Sequence, residues 1–140
     1  MVGSRSEPSP AAHVSYTAAF TGGDVTAVRQ RVEELAVEAG LGPQQVTDWV
    51  TAVNELLTNA VRHGGGAGRL RLWFDGWLRC EVSDDGAGFA VDDYLGRAAR
   101  PRLSASGGMG LWIVQQMTDA LTIDSGPAGT TARVGVAPRA

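Results

Sequence analysis

Between Arg69 and Ser83 the chain alternates apolar and polar residues twice, once on each side of Asp75-Gly76. Leu70, Leu72 and Phe74 alternate with Arg69, Arg71, Trp73 and Asp75; Leu78, Cys80 and Val82 alternate with Arg79, Glu81 and Ser83. A period of two puts each apolar set on one face of a strand. Asp-Gly between two such runs is the strongest short-range signal for a hairpin. The apolar face of that hairpin has to be covered, and three segments have helical spacing to cover it. Val25, Val28, Val32, Leu35 and Ala39 follow Asp24, a good N-cap residue, and stop at Gly40. Val46, Val50, Val53, Leu57 and Val61 follow Gly42-Pro43 and stop at Gly64-Gly65-Gly66. Leu111 and Val114 mark a third helix from Gly110 to Asp119. His13 to Phe20, Leu121 to Ser125 and Thr130 to Val136 read as further strands, the last two joined around Gly126-Pro127-Ala128-Gly129. The order strand, helix, helix, hairpin, long connection, helix, hairpin predicts a two-layer α/β (α+β) sandwich. Its sheet is expected to be mixed but mainly antiparallel, with the helices on one face.

One such layer pair is what 140 residues at 44% apolar content can build. The expected domain runs from 13 to 137. Met1 to Ala12, rich in Ser, Pro, Gly and Ala, reads as a disordered arm. All 12 basic residues are arginine. Without lysine there is neither a phosphate-binding P-loop nor the strand lysine of a protein kinase. A net charge of −3 does not advertise a nucleic-acid surface. The single Cys80 excludes an internal disulfide and a cysteine zinc cluster. No stretch approaches the roughly 18 apolar residues of a membrane helix, and no signal peptide is visible, so the expected location is cytoplasmic.

Four places gather chemistry. Glu55 and Asn59, one helical turn apart, share a face that Arg62 and His63 extend. Such oxygen donors suit a hard cation together with phosphate oxygens, although an ordinary solvated face would look the same. Asp84 opens Asp84-Asp85-Gly86-Ala87-Gly88 and continues the inward series Leu78, Cys80, Val82. A carboxylate facing inward needs donors. Local amides of an Asp-Gly turn would serve, and so would a ligand amino group. Gly108-Met109-Gly110-Leu111 begins a helix, where free N–H groups attract phosphate, but an isolated Gly-x-Gly is common. Thr130 shares parity with Ala132, Val134 and Val136, so its hydroxyl also faces inward and needs a partner.

Taken in order, Asn54-Glu55-Leu56-Leu57-Thr58-Asn59-Ala60-Val61-Arg62-His63-Gly64, Asp84-Asp85-Gly86-Ala87-Gly88-Phe89, Gly108-Met109-Gly110-Leu111-Trp112-Ile113-Val114 and Gly129-Thr130-Thr131 closely resemble the GHKL (Bergerat-fold) ATPases. That superfamily includes gyrase-type topoisomerases, histidine kinases and MutL proteins. The resemblance covers about Ser15 to Val136. The brevity of the chain and its first motif resemble the anti-sigma-factor serine kinases, the RsbW-like group. The resemblance implies ATP and Mg²⁺ as cofactors, with Asn59 on the metal and Glu55 as general base. It further implies that Asp84 receives the adenine amino group, Gly86 and Gly88 shape the adenine pocket, Gly108, Gly110 and Leu111 meet the phosphates, and Thr130 supports Asp84. A mobile ATP lid is implied over about Ala90 to Ser106, carrying Arg97, Arg100 and Arg102, each of which also reads as a solvated loop arginine. His63 reads as a helix-end cap. The four tryptophans read as packing or interface residues, with Trp73 and Trp77 on the outward parity as a possible exposed patch.

The function this resemblance implies is a switch protein. It would inhibit a sigma factor and use ATP to phosphorylate Ser or Thr of an anti-anti-sigma (STAS-type) partner, as a possible homodimer, with no direct nucleic acid or membrane partner. Two alternatives remain open at this stage: a non-catalytic, ATP-dependent binding module, and a detached ATPase domain of a split histidine kinase.

Overall fold

The computed structural model describes residues 14–88 and 108–139. The expected N-terminal arm, His13 and the expected lid with Arg97, Arg100 and Arg102 lie outside the described residues. The described elements are β1 (Val14–Thr21), a short 3-10 turn (Gly22–Asp24), α1 (Val25–Glu38), α2 (Pro43–His63), β2 (Ala67–Phe74), β3 (Leu78–Asp84), α3 (Gly108–Met117), β4 (Ala120–Gly126) and β5 (Gly129–Val136). The strands form one sheet in the order β1-β2-β3-β5-β4. All four pairings are antiparallel, so the sheet is more uniformly antiparallel than the mixed sheet expected. The three helices lie on one face, and the core is continuous from α1 through α2 to the sheet. No described helix is long and apolar enough to cross a membrane.

Period-two patterning sets which strand residues enter the core. Leu70, Leu72, Leu78, Cys80, Val82, Ala132, Val134 and Val136 are all buried on the helix side. Burial drives the Cys80 thiol well above the usual thiol range, so it stays protonated and acts as a small apolar side chain. α2 begins with Pro43 at a position where its missing N–H costs nothing. Its buried seam runs through Val46, Trp49, Val53, Leu57 and Ala60. Trp49 is completely buried, as a packing residue should be.

Two local expectations are corrected. Asp24 stands at the N-cap position of α1 but does not cap it. Its Oδ2 turns back and accepts from the Thr21 amide at 2.9 Å and the Thr21 hydroxyl at 3.2 Å, because the 3-10 turn brings it three residues past the strand end. At the β2–β3 hairpin the exposed and buried aromatics are exchanged. Phe74 is 36% exposed and Trp73 only 8%. Phe74 pairs with Leu78 at the last rung, next to a three-residue connection in which Gly76 takes φ 98°. Trp73 is covered on its outward face, where the Arg71 guanidinium stacks 5.3 Å from the ring centroid.

Candidate functional site

α2 and α3 pack against each other, and their contact brings the first set of candidates together. Glu55 and Asn59 project from α2 towards the start of α3, and both are half-buried. Gly110, in the first turn of α3, backs directly onto them. A Cβ built at position 110 would stand 2.6 Å from Glu55 Oε1 and 3.7 Å from Asn59 Oδ1. A side chain at 110 would therefore push the Glu55 carboxyl from its present position, whereas glycine lets the helix start approach it. Gly108 is the first residue of the same helix, so its amide is one of the N–H groups a helix start leaves free. Leu111 is 5% exposed and its side chain belongs to the core, so only its backbone N–H remains for a ligand.

Partial burial raises the Glu55 carboxyl above the usual carboxylate range, and the Arg62 guanidinium two turns further along α2 opposes part of that rise. The fold thus favours the neutral acid, and stability falls as pH rises from the ordinary value through the raised one. Chemistry that needs ionised Glu55 should have an acid limb with its midpoint above the ordinary carboxylate value. Arg62→Gln should move that midpoint further up, which a pH–rate profile of both proteins checks.

A second set gathers at the end of β3. Asp84 is partly buried and faces the helix side, as the parity of Leu78, Cys80 and Val82 requires. Its Oδ1 accepts from the Gly86 amide at 2.9 Å, which is the local Asp-Gly arrangement. Its Oδ2 lies against Gly64, at the C-cap of α2. Gly86 in turn interlocks with that helix end. A Cβ on Gly86 would fall 2.5 Å from the Gly64 Cα and 2.8 Å from the His63 carbonyl oxygen. Both are backbone atoms and cannot swing aside. Gly86→Ala is expected to cost about 1–3 kcal/mol by overpacking, measurable as a lower urea midpoint.

Gly88, with φ 81°, packs on the β4–β5 turn, where a Cβ would meet the Gly126 backbone. It fixes the turn to that hairpin, apart from the Asp84–Gly64 contact. Thr130 stands directly opposite Asp84 in the β3–β5 register. Its hydroxyl is 2.7 Å from the Ser125 hydroxyl, so that bond runs to the neighbouring strand β4. Among the described residues, no group of three or more His, Cys, Asp or Glu side chains is placed to hold a metal ion.

Sequence reasoning missed Gly64. It reads as a helix stop, yet its φ of −107° is open to any residue, so the glycine is demanded by the crowding of Asp84. Only its place directly after the Asn59-to-His63 stretch hinted at a part in the site.

Comparisons with known proteins bear on the family and the fold. The sequence profile of the histidine kinase-like ATPase domain matches residues 18–135. Curated proteins give no significant match. Among solved structures, the RsbU and RsbW domains of Rv1364c from Mycobacterium tuberculosis superpose with a TM-score of 0.60 at 20% identity, over 88% of this chain and 32% of that one. The chain thus spans about a third of that protein's length. The mycobacterial sensor histidine kinase MprB superposes with a TM-score of 0.55 at 21% identity, over 89% of this chain and 100% of that one. The histidine kinase domain of the Erythrobacter litoralis EL346 blue-light activated kinase gives a TM-score of 0.52 at 22% identity, over 80% of this chain and 64% of that one. At such identities these structures testify to a shared fold alone. The profile match spans most of the chain, and with it the expected superfamily is established: this chain belongs to the histidine kinase-like ATPase domain family.

Proposed function

We propose that the chain binds Mg·ATP in the cleft bordered by Glu55, Asn59, the start of α3 and Asp84, and transfers the γ-phosphoryl group to a serine or threonine of a partner protein. The observation that carries this reading is the apposition of Gly110 with Glu55 and Asn59: a helix start that attracts phosphate faces a carboxylate and an amide oxygen one turn apart. Asp84 forms the other end, where its Oδ2 would accept from the adenine amino group while Oδ1 keeps the Gly86 amide.

The donor set fits magnesium. The protein offers the Asn59 amide oxygen beside Glu55 rather than an all-protein cage, which suits an ion that keeps waters and shares phosphate oxygens. When bound, Mg²⁺ would neutralise charge developing on the transferring phosphate. Asn59 would hold it. Glu55, whose carboxyl is made more basic than an ordinary one by burial, would accept the hydroxyl proton of the attacking serine. The new bond joins that hydroxyl oxygen to the γ-phosphorus, the bond to the β–γ bridging oxygen breaks, and ADP leaves.

An RsbW domain among the superposed structures supports a partner-switching role, in which this chain inhibits a sigma factor and phosphorylates an anti-anti-sigma (STAS-type) protein. The test is transfer of label from γ-labelled ATP to a purified STAS-type partner, alongside a pull-down with and without Mg·ATP. Transfer and nucleotide-dependent sigma-factor capture are expected. ATP binding with no transfer to any STAS-type partner would reduce the chain to a nucleotide-dependent binding module.

A further inference from the structure

We infer that Ser125 is a positioning residue for base selection, one that holds the Thr130 hydroxyl with its hydrogen aimed at the ring nitrogen beside the adenine amino group. The inference rests on the nucleotide reading above and concerns a residue that reading does not use. The register puts Asp84, Thr130 and Ser125 on one rung of the neighbouring strands β3, β5 and β4. Each continues an inward series: Leu78, Cys80 and Val82 lead to Asp84, Ala132 and Val134 follow Thr130, and Leu121 and Ile123 lead to Ser125. All three side chains are half-buried. Residues directly opposite on one face of an antiparallel pair have Cβ atoms about 4.5–5.5 Å apart, within reach of one another. A carboxylate and two hydroxyls therefore form one polar row on the helix side of the sheet, with Thr130 in the middle. The Ser125 and Thr130 hydroxyls are 2.7 Å apart.

Two hydroxyls this close share one hydrogen, and each has a single hydrogen to give. Which group donates decides what the row can read. Adenine presents a donor, its amino group, next to an acceptor, its ring N1. Asp84 offers an acceptor for the first, but an ionised carboxylate has no donor for the second. The Gly86 amide is already spent on Asp84 Oδ1 at 2.9 Å. Thr130 is the hydroxyl next to Asp84 in the row. When Ser125 donates to Thr130, Thr130 keeps its own hydrogen for N1, directly or through one water. When Thr130 donates to Ser125, only its lone pairs face the base and N1 finds no donor. The hairpin that carries both hydroxyls is also locked to the Asp84 turn. A Cβ on Gly129, with φ 133°, would collide with the Asp84 carbonyl oxygen, and one on Gly88 with the Gly126 carbonyl oxygen. Backbone packing thus fixes the spacing of the row, and a shift of the hairpin cannot replace a missing Ser125 hydroxyl.

The test is calorimetric titration of the full chain with Mg·ATP and with Mg·1-deaza-ATP, in which a C–H group replaces N1. The parent should bind ATP about tenfold more tightly than the analogue, the effect of leaving one donor unpaired. Ser125→Ala should weaken Mg·ATP binding about five- to tenfold and leave the analogue nearly unchanged, so that the preference shrinks to within about twofold. Ser125→Thr, which restores a hydroxyl on a residue suited to a strand, should restore the preference. Should Ser125→Ala fail to fold by circular dichroism, Ser125→Cys takes its place with the same expected loss, because a thiol is a weak donor. A purely structural role would weaken both nucleotides alike. That result, equal binding of ATP and the analogue by the parent, a preference that survives Ser125→Ala, or no recovery in Ser125→Thr would each overturn this inference alone. A parent chain that binds no Mg·ATP would overturn the nucleotide reading and this inference with it.

Discussion

Glu55→Gln is expected to abolish most phosphotransfer while leaving Mg·ATP affinity within a few-fold of the parent. The amide is nearly isosteric with the acid, so the contact of Gly110 with position 55 survives. What disappears is the ability to take a proton from the attacking hydroxyl, a contribution of roughly a hundred- to ten-thousand-fold in rate. Because the fold favours the uncharged form of this side chain, the substitution should not lower thermal stability near neutral pH and should raise it slightly. Single-turnover label transfer paired with calorimetric ATP titration separates the two effects. A variant that transfers phosphate at the parent rate would remove Glu55 from the chemistry. Equal loss of binding and transfer would instead make it a nucleotide-positioning group.

Asp84→Asn carries the second large effect, this time on binding. The carboxylate has an oxygen for each of two donors: Oδ1 holds the Gly86 amide at 2.9 Å, and on the proposed reading Oδ2 would receive the adenine amino group. Asparagine has a single acceptor oxygen. If it keeps the Gly86 bond, its own NH₂ faces the adenine amino group and both donors are left unpaired. If it flips, Gly86 loses its partner. Either arrangement forfeits a charge-assisted hydrogen bond, about 1.5–3 kcal/mol, or roughly ten- to 150-fold in Kd. Stability should fall less, because the turn is also held by the interlock of Gly86 with Gly64. Unchanged ATP affinity in this variant would remove Asp84 from adenine recognition.

Most of the frame was legible in the sequence, and physical reasons separate what was from what was not. Strand parity is exact, so Leu78, Cys80 and Val82 predicted the inward direction of Asp84, and Ala132, Val134 and Val136 that of Thr130. Helical spacing likewise put Glu55 and Asn59 on one face. The partner element was not legible, because no local pattern says which residue a distant helix start will touch. That Gly110 meets Glu55, and Gly64 meets Asp84, are facts of tertiary approach. The bond of the Thr130 hydroxyl to Ser125 depends on the register of β4 against β5, which sequence spacing leaves open. The exchange of Trp73 and Phe74 arises where alternation fails at a turn: the last rung before Gly76 loses its cover, and a guanidinium plane shelters the outward indole. Asp24 follows the same lesson, since a good capping residue was captured by Thr21 behind it.

The glycines of the candidate site differ in what they pack against. Gly110 lies against side-chain oxygens, Gly86 makes room for the Gly64 backbone, Gly64 makes room for the Asp84 carboxyl, and Gly88 anchors the turn to the β4–β5 hairpin. The two ends of the candidate cleft are therefore joined through α2, whose Glu55 and Asn59 serve one end and whose C-cap Gly64 supports the other.

Calorimetric titration of the full chain with Mg·ATP and with Mg·GTP tests most directly whether position 84 reads the base. Adenine brings an amino group to the free oxygen of Asp84, whereas guanine brings a carbonyl oxygen that would oppose it. A site built around that hydrogen bond rejects the base lacking it. The expected result is saturable Mg·ATP binding, at least about tenfold weaker Mg·GTP binding, and loss of most of that preference in Asp84→Asn. Equal affinity for the two nucleotides, or a preference that survives the substitution, would contradict the account.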